Sequence, residues 1–186
     1  MKKIFTLAFA FCLLCVPSFA SEKQKNASAK FLYAPEYCEF QIEFPQEYFS
    51  RKSCIADNCF DIISFAKTNE NSNVDVRLSC QKKTSEEIKD IKNSDLKETV
   101  RELAIDAGLR PYAADVATLP SDIVTAVTIA LGMRGKKESI YTGQFWIGKK
   151  SLLTLEAEMT GPANTEIEKI YSEILTSVKP KEKSPQ

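Results

Sequence analysis

From Tyr37 to Phe44 the chain alternates: Cys38, Phe40, Ile42 and Phe44 are separated by Glu39, Gln41 and Glu43. A period of two makes a strand with one dry and one wet face, and Pro45, which has no N–H for a ladder, ends it. Residues 46–58 read as a polar loop, and a second strand follows over about Cys59 to Ala66. Asn69, Asn71, Ser72 and Asn73 form a turn-rich break. The third strand alternates Val74, Val76, Leu78 and Cys80 against Asp75, Arg77 and Ser79. Together these three strands read as a β-meander.

The period then changes. Thr84 and Glu87 have capping-box spacing, and Leu96, Val100, Leu103, Ala104 and Ala107 fall on one helical face. Gly108 is the natural stop, since it adopts a left-handed backbone at little cost. Pro111 to Pro120 reads as an irregular connection. Ile123 to Met133 is apolar or small on both faces, the pattern of a central strand covered on both sides. Arg134-Gly135-Lys136-Lys137 and Gly148-Lys149-Lys150 are tight turns bracketing a strand from Ser139 to Ile147. Leu152 to Met159 follows, and Gly161-Pro162 breaks it. A last helix opens with a second capping box, Thr165-Glu166-Ile167-Glu168, and carries Ile167, Ile170, Tyr171, Ile174, Leu175 and Val178 on its apolar face; Pro180 ends it. The expected order is β-β-β-α-β-β-β-α, an α+β fold. Its six-stranded, mostly antiparallel sheet has amphipathic helices packed on it.

The ends lie outside this pattern. Lys2 and Lys3, the apolar run Ile4 to Val16 and the small residues of Ser18-Phe19-Ala20 make a three-part signal peptide. About 13 helical residues span roughly 20 Å, too little for a hydrocarbon core of about 30 Å. Cleavage is therefore expected between Ala20 and Ser21, leaving no integral membrane anchor. Phe11 and Leu14, which precede Cys12 and Cys15, are not the small residues that lipidation needs. Residues 21–30 read as a disordered leader with a formal glycosylation sequon at Asn26. Residues 31–179 form one domain, and residues 180–186 a disordered tail. The precursor carries 25 basic and 25 acidic residues; loss of Lys2 and Lys3 leaves 23 against 25, a net charge near −2. No strong field remains to steer the protein to nucleic acid.

Four cysteines remain after cleavage: Cys38, Cys54, Cys59 and Cys80. An even number in an exported chain predicts two disulfides, whereas zinc sites use closer pairs than these. Two considerations oppose each other on the pairing. Cys38 and Cys80 both face the apolar side, which favours Cys38–Cys80 with a local Cys54–Cys59 bridge. In a plain meander, however, strand rise holds Cys38 and Cys80 some 20 Å apart, far beyond the roughly 7 Å a bridge spans. On distance, the expected pairs are Cys59–Cys80 and Cys38–Cys54.

The chain also resembles the Mog1/PsbP-like fold group. Phe44-Pro45 with Phe49 shortly after is similar to that group's first strand and proline-aromatic turn. The long strands from Ile123 to Met159 on Gly-Lys turns are similar to its central hairpins, and Ile174-Leu175-Thr176-Ser177-Val178 to its closing helix. The resemblance covers roughly residues 31–179, and the four cysteines lie outside its pattern. It implies an accessory protein that assists larger assemblies, with no shared catalytic residues to carry over.

Candidate chemistry is sparse. The chain has no histidine, which excludes histidine triads, histidine metal sites and imidazole acid–base work. Glu156 with Glu158, and Glu39 with Glu43, each share a strand face; such pairs serve glycoside hydrolysis in some enzymes and solvated sheet faces in most proteins. Cys54 and Cys59 are separated by four residues rather than the two of a thioredoxin-type site. Gly132 to Lys137 lacks the spacing of a phosphate loop. No catalytic residue, metal ligand or cofactor is expected. Tyr141, Phe145 and Trp146 are the candidate binding surface, with Tyr141 and Phe145 facing opposite to Trp146. The expected function is that of an exported, non-enzymatic accessory or binding protein, periplasmic or extracellular. Its partner is expected to be another envelope or extracellular protein, not nucleic acid. The alternatives are a carboxylate-based hydrolase and a secreted effector.

Overall fold

The computed structural model describes residues 30–55 and 58–181; the signal peptide, most of the leader, Asn26 and residues 182–186 lie outside these. Ten strands and three α-helices follow in the order β1 (Phe31–Tyr33), β2 (Phe40–Phe44), β3 (Phe49–Ile55), β4 (Asn58–Asn69), β5 (Ser72–Lys82), α1 (Ser85–Lys89), α2 (Asn93–Asp106), β6 (Arg110–Leu119), β7 (Ile123–Arg134), β8 (Lys137–Ile147), β9 (Ser151–Thr160), α3 (Thr165–Ser177) and β10 (Lys179–Pro180). Seven strands form an antiparallel sheet in the order β3-β4-β5-β9-β8-β7-β6, and β1-β2-β10 form a second, small sheet.

The expected α+β class and antiparallel pairing are present, but the single six-stranded sheet is not. Residues 49–55 and 110–119, read from sequence as loop and irregular connection, are the two edge strands of the large sheet. The first alternating strand leaves the meander altogether and becomes β2, laid over the large sheet in the second layer. Pro180 is likewise not the start of a free tail. Lys179 and Pro180 pair with Gln41 and Phe40, and the Lys181 N–H donates to the Glu39 carbonyl at 2.8 Å.

Removing β2 from the meander reverses the cysteine pairing expected on distance. The bridges are Cys38–Cys80 and Cys54–Cys59. Cys38 leads into β2 above the face on which Cys80 lies, so strand rise within one sheet does not separate them, and both are buried. Cys54 and Cys59 are opposed directly across the β3–β4 hairpin and are exposed.

Each large-sheet face is covered over half its width. On one face, Phe40, Ile42 and Phe44 from β2 and Ile167, Ile170 and Ile174 from α3 pack on Ile63, Phe65, Val74, Val76, Leu78, Leu153 and Leu155 of β4, β5 and β9. On the other, α2 sets Leu96, Val100 and Ala104 against Ala126, Ala130, Tyr141 and Phe145 of β7 and β8. The caps follow the sequence closely. Thr84 and Glu87 make the capping box of α1, and Gly108 (φ +71°) ends α2. In α3 the cap is Asn164 rather than Thr165: its side chain accepts from the Glu166 and Ile167 N–H groups, both at 3.2 Å.

Glu39 fixes β2 to the large sheet. Its Oε2 accepts from the N–H groups of Lys150 (2.7 Å) and Ser151 (3.1 Å) in the β8–β9 turn, and its own N–H donates to Ser151 Oγ at 2.9 Å. Gly148 is needed here, because a Cβ would overlap the Glu39 carboxylate.

Candidate functional site

Because α2 stops at β8, the same face over β4, β5 and β9 is open. There the antiparallel register stacks two cross-strand rows: Phe49–Ser64–Arg77–Glu156–Gly143, and Ala66–Asp75–Glu158–Tyr141. Cross-strand partners share a face, so these side chains form the floor of one cleft. Its volume is about 690 Å³, walled by Leu103, Asp106 and Ala107 from the end of α2 and by Phe49 at the opposite edge.

Both glutamates of the Glu156–Glu158 pair are engaged. Arg134 Nε donates to Glu158 Oε1 at 2.6 Å and Nη2 to Oε2 at 3.0 Å, while Ser139 Oγ donates to the same Oε1 at 2.5 Å. Burial alone would raise the Glu158 carboxyl, but the Arg134 and Ser139 hydrogen bonds and the guanidinium charge together outweigh it. Its pKa lies below the ordinary carboxylate value of 4.5. Tyr141 OH donates to Glu156 Oε2 at 2.9 Å. Burial, then the Glu156 charge and this bond, push the Tyr141 phenol well above its usual value, so it stays a donor at any physiological pH. Gly143 leaves room for this reach, since a Cβ there would stand 3.2 Å from the Tyr141 ring and hydroxyl and from Thr128.

Arg77 is different. It is exposed in the middle of the floor, and among the described residues it forms no ion pair within 4 Å, although Glu156 is its cross-strand partner. Around it lie Asp75, Asp106 and the Tyr141-bound Glu156, with apolar surface from Phe49 and Leu103. The cleft thus combines one free cation, two exposed carboxylates and two apolar walls.

The three aromatics named from sequence do not form one exposed patch. Tyr141 brings its hydroxyl to the cleft floor, and Phe145 is buried beneath α2. Trp146 lies on the opposite face, its ring centroid 6.0 Å from that of Phe40 and its Nε1 donating to Gln144 Oε1 at 2.9 Å. The split of Tyr141 and Phe145 from Trp146 is the one the alternation predicts. The second carboxylate pair is also dispersed: Glu39 holds the β8–β9 turn, whereas Glu43 pairs with Lys30 (2.8 Å) and Lys179 (3.4 Å). Arg77, Arg134 and Ser139 carry no sequence signal of their own; only the register of β5, β8 and β9 brings them to the cleft.

The Glu158 shift predicts an acid-side effect. A carboxyl with a depressed pKa in the folded state contributes stability that is complete above the ordinary carboxylate pKa and is lost as pH falls through the folded one. Glu158→Gln should therefore be less stable than the parent at pH 7, and the two melting curves should converge as the pH is lowered through 4.5 and below. An unchanged gap at low pH would assign the effect to packing instead.

No protein-family model matches the chain, and no curated protein does. Among solved structures it is similar to cyanobacterial PsbP (CyanoP) from Synechocystis sp. PCC 6803, with TM-score 0.52 and 11% identity, over 88% of this chain and 99% of that one. It also overlaps LpqN of Mycobacterium tuberculosis, described as involved in cell envelope biogenesis, with TM-score 0.40 and 10% identity, over 83% and 86% of the two chains. The likeness to CyanoP extends over nearly the whole of both molecules, and the chain has the PsbP-like fold.

Proposed function

We propose that the protein is an exported, non-enzymatic accessory protein of the cell envelope that holds a segment of a partner protein in the cleft beside α2, one carboxylate of that segment meeting Arg77. The observation that carries this reading is Arg77, an exposed guanidinium in a cleft floor where the neighbouring basic side chain, Arg134, is already bound to Glu158. A carboxylate offered by a partner would complete it, with Phe49 and Leu103 contacting the apolar part of the segment. The two disulfides support an oxidising location. Among the described residues no helix is long and apolar enough to cross a membrane. The non-enzymatic reading is supported by Glu158. Glycoside hydrolysis needs carboxylates free to meet substrate, whereas Glu158 is held by Arg134 and Ser139 and its pair Glu156 accepts from Tyr141 OH.

The test uses p-benzoylphenylalanine in place of Phe49, an exposed ring at the cleft wall. Irradiation in the producing cells should give one adduct of defined mass, lost on Arg77→Glu and retained when the same probe variant carries Arg77→Lys. An adduct indifferent to Arg77→Glu, or none, overturns the binding reading. Turnover of a glycoside that disappears in Glu156→Gln overturns the non-enzymatic one.

A further inference from the structure

The sequence of β7 is that of a strand covered on both faces, yet one face is covered only at its first residues, Ile123 and Thr125. Its α2 side is packed, with Ala126 and Ala130 fully buried. On the other side α3 covers β4, β5 and β9 and reaches β8 where Tyr171 OH meets Thr142 Oγ1 at 2.7 Å, while beyond it Ile129, Leu131 and Met133 are 41%, 47% and 54% exposed. Ile140, opposite Met159 on β9 and Leu131 on β7, is 37% exposed on the same face. Ala113, the cross-strand partner of Ile129, is too small to shield it. Next to this strip runs β6, an edge strand with its outer backbone groups free for pairing and Tyr112 77% exposed.

We propose that this strip is the contact face of a homodimer, in which the β6–β7–β8 halves of two sheets pack face to face about a two-fold axis parallel to the strands, with Leu131 at the axis. Three features favour a second copy. With Tyr112, the exposed apolar side chains present roughly 500 Å² per copy, at the upper end for a monomer's largest patch; with its rim, such a surface approaches the ~800 Å² per partner of a stable interface. Aligned packing of two such sheets is a standard way to close a β-sheet face. The rim is also self-complementary, as an isologous contact requires. Arg110 lies beside Leu131 on β6, and Glu138 beside Met133 on β8. Neither side chain has an ion pair within 4 Å among the described residues. A two-fold axis along the strands exchanges β6 for β8, which sets Arg110 of each copy towards Glu138 of the other.

The cleft holding Arg77 lies on the opposite sheet face, so dimerisation leaves it open and the two proposals stand or fall separately. Light scattering of the purified mature chain over a micromolar range should give twice the monomer mass. Leu131→Asp, an exposed change, should give a monomer with an unchanged far-ultraviolet spectrum. Arg110→Glu and Glu138→Arg should each weaken the dimer at least tenfold, and the double swap should restore it. A monomer at every concentration overturns the proposal, as does a dimer indifferent to Leu131→Asp and to both charge reversals. A monomer that sediments with phosphatidylglycerol vesicles, and ceases to on Leu131→Asp, overturns it in favour of a lipid surface.

Discussion

Replacing Cys38 and Cys80 together by alanine is expected to lower stability by about 4 kcal/mol, the chain-entropy value for cross-linking residues separated by 42 positions. For a domain of this size that is a fall in melting temperature of roughly 8–16 °C. The effect is large because the bridge joins layers: Cys38 anchors β2, whose Phe40, Ile42 and Phe44 are fully buried against the large sheet. Cys54→Ser with Cys59→Ser should cost only about 2 kcal/mol, because that bridge spans 5 positions of a hairpin already held by its ladder. Exposure separates the two bridges as well. A mild thiol should open Cys54–Cys59 while Cys38–Cys80 resists, since exchange requires access to a sulfur atom. Thermal melts of the two double variants, with peptide mapping after graded reduction, check both points. Equal melting-temperature losses would mean that β2 docks without its tether.

Phe44→Ala is expected to cost about 3–5 kcal/mol, the range for deleting a buried phenylalanine. Phe44 is completely buried, with its ring centroid 5.1 Å from Tyr48 and 5.7 Å from Phe65. It is where the small sheet, the β2–β3 connection and β4 meet, so the cavity cannot be filled by moving one side chain. Against a total stability of about 5–15 kcal/mol, such a loss leaves the domain marginal. Phe49→Ala, five residues on but 69% exposed, should change stability by no more than about 0.5 kcal/mol. Urea unfolding midpoints give the comparison. A comparable loss at Phe49 would mean that the cleft wall is packed in solution.

The helices were legible because their signals are local. Thr84 with Glu87, the spacing from Leu96 to Ala107, and Gly108 each act within a turn or two of backbone. The interior strands were legible for the same reason, as one wet and one dry face leave a period of two. The edge strands were not. In β3, Phe49, Arg51 and Ser53 alternate with Ser50, Lys52 and Cys54, and neither set is apolar, because an edge strand beyond the helices buries little. In β6, Pro111 and three alanines hide a strand held by its ladder to β7. The cysteine pairing turned on which sheet β2 joins, a decision made by Phe40, Ile42 and Phe44 finding α3 rather than by anything near Cys38. The cleft was out of reach for a related reason. Glu156 and Glu158 were visible as a pair, but Tyr141, Ser139 and Arg134 meet them only through the register of β7, β8 and β9.

The pairing of β2 with β10 has a kinetic consequence. Ser177 Oγ bonds to both the N–H and the carbonyl of Glu43 across 134 positions, and Lys181 to the Glu39 carbonyl across a still longer stretch. In a chain that emerges N-terminus first, β2 is among the first segments to appear and must wait for nearly the last before its layer can close. Contacts so distant in sequence make folding slow, and here they hold back closure of the β2 layer until residues 177–181 have been made.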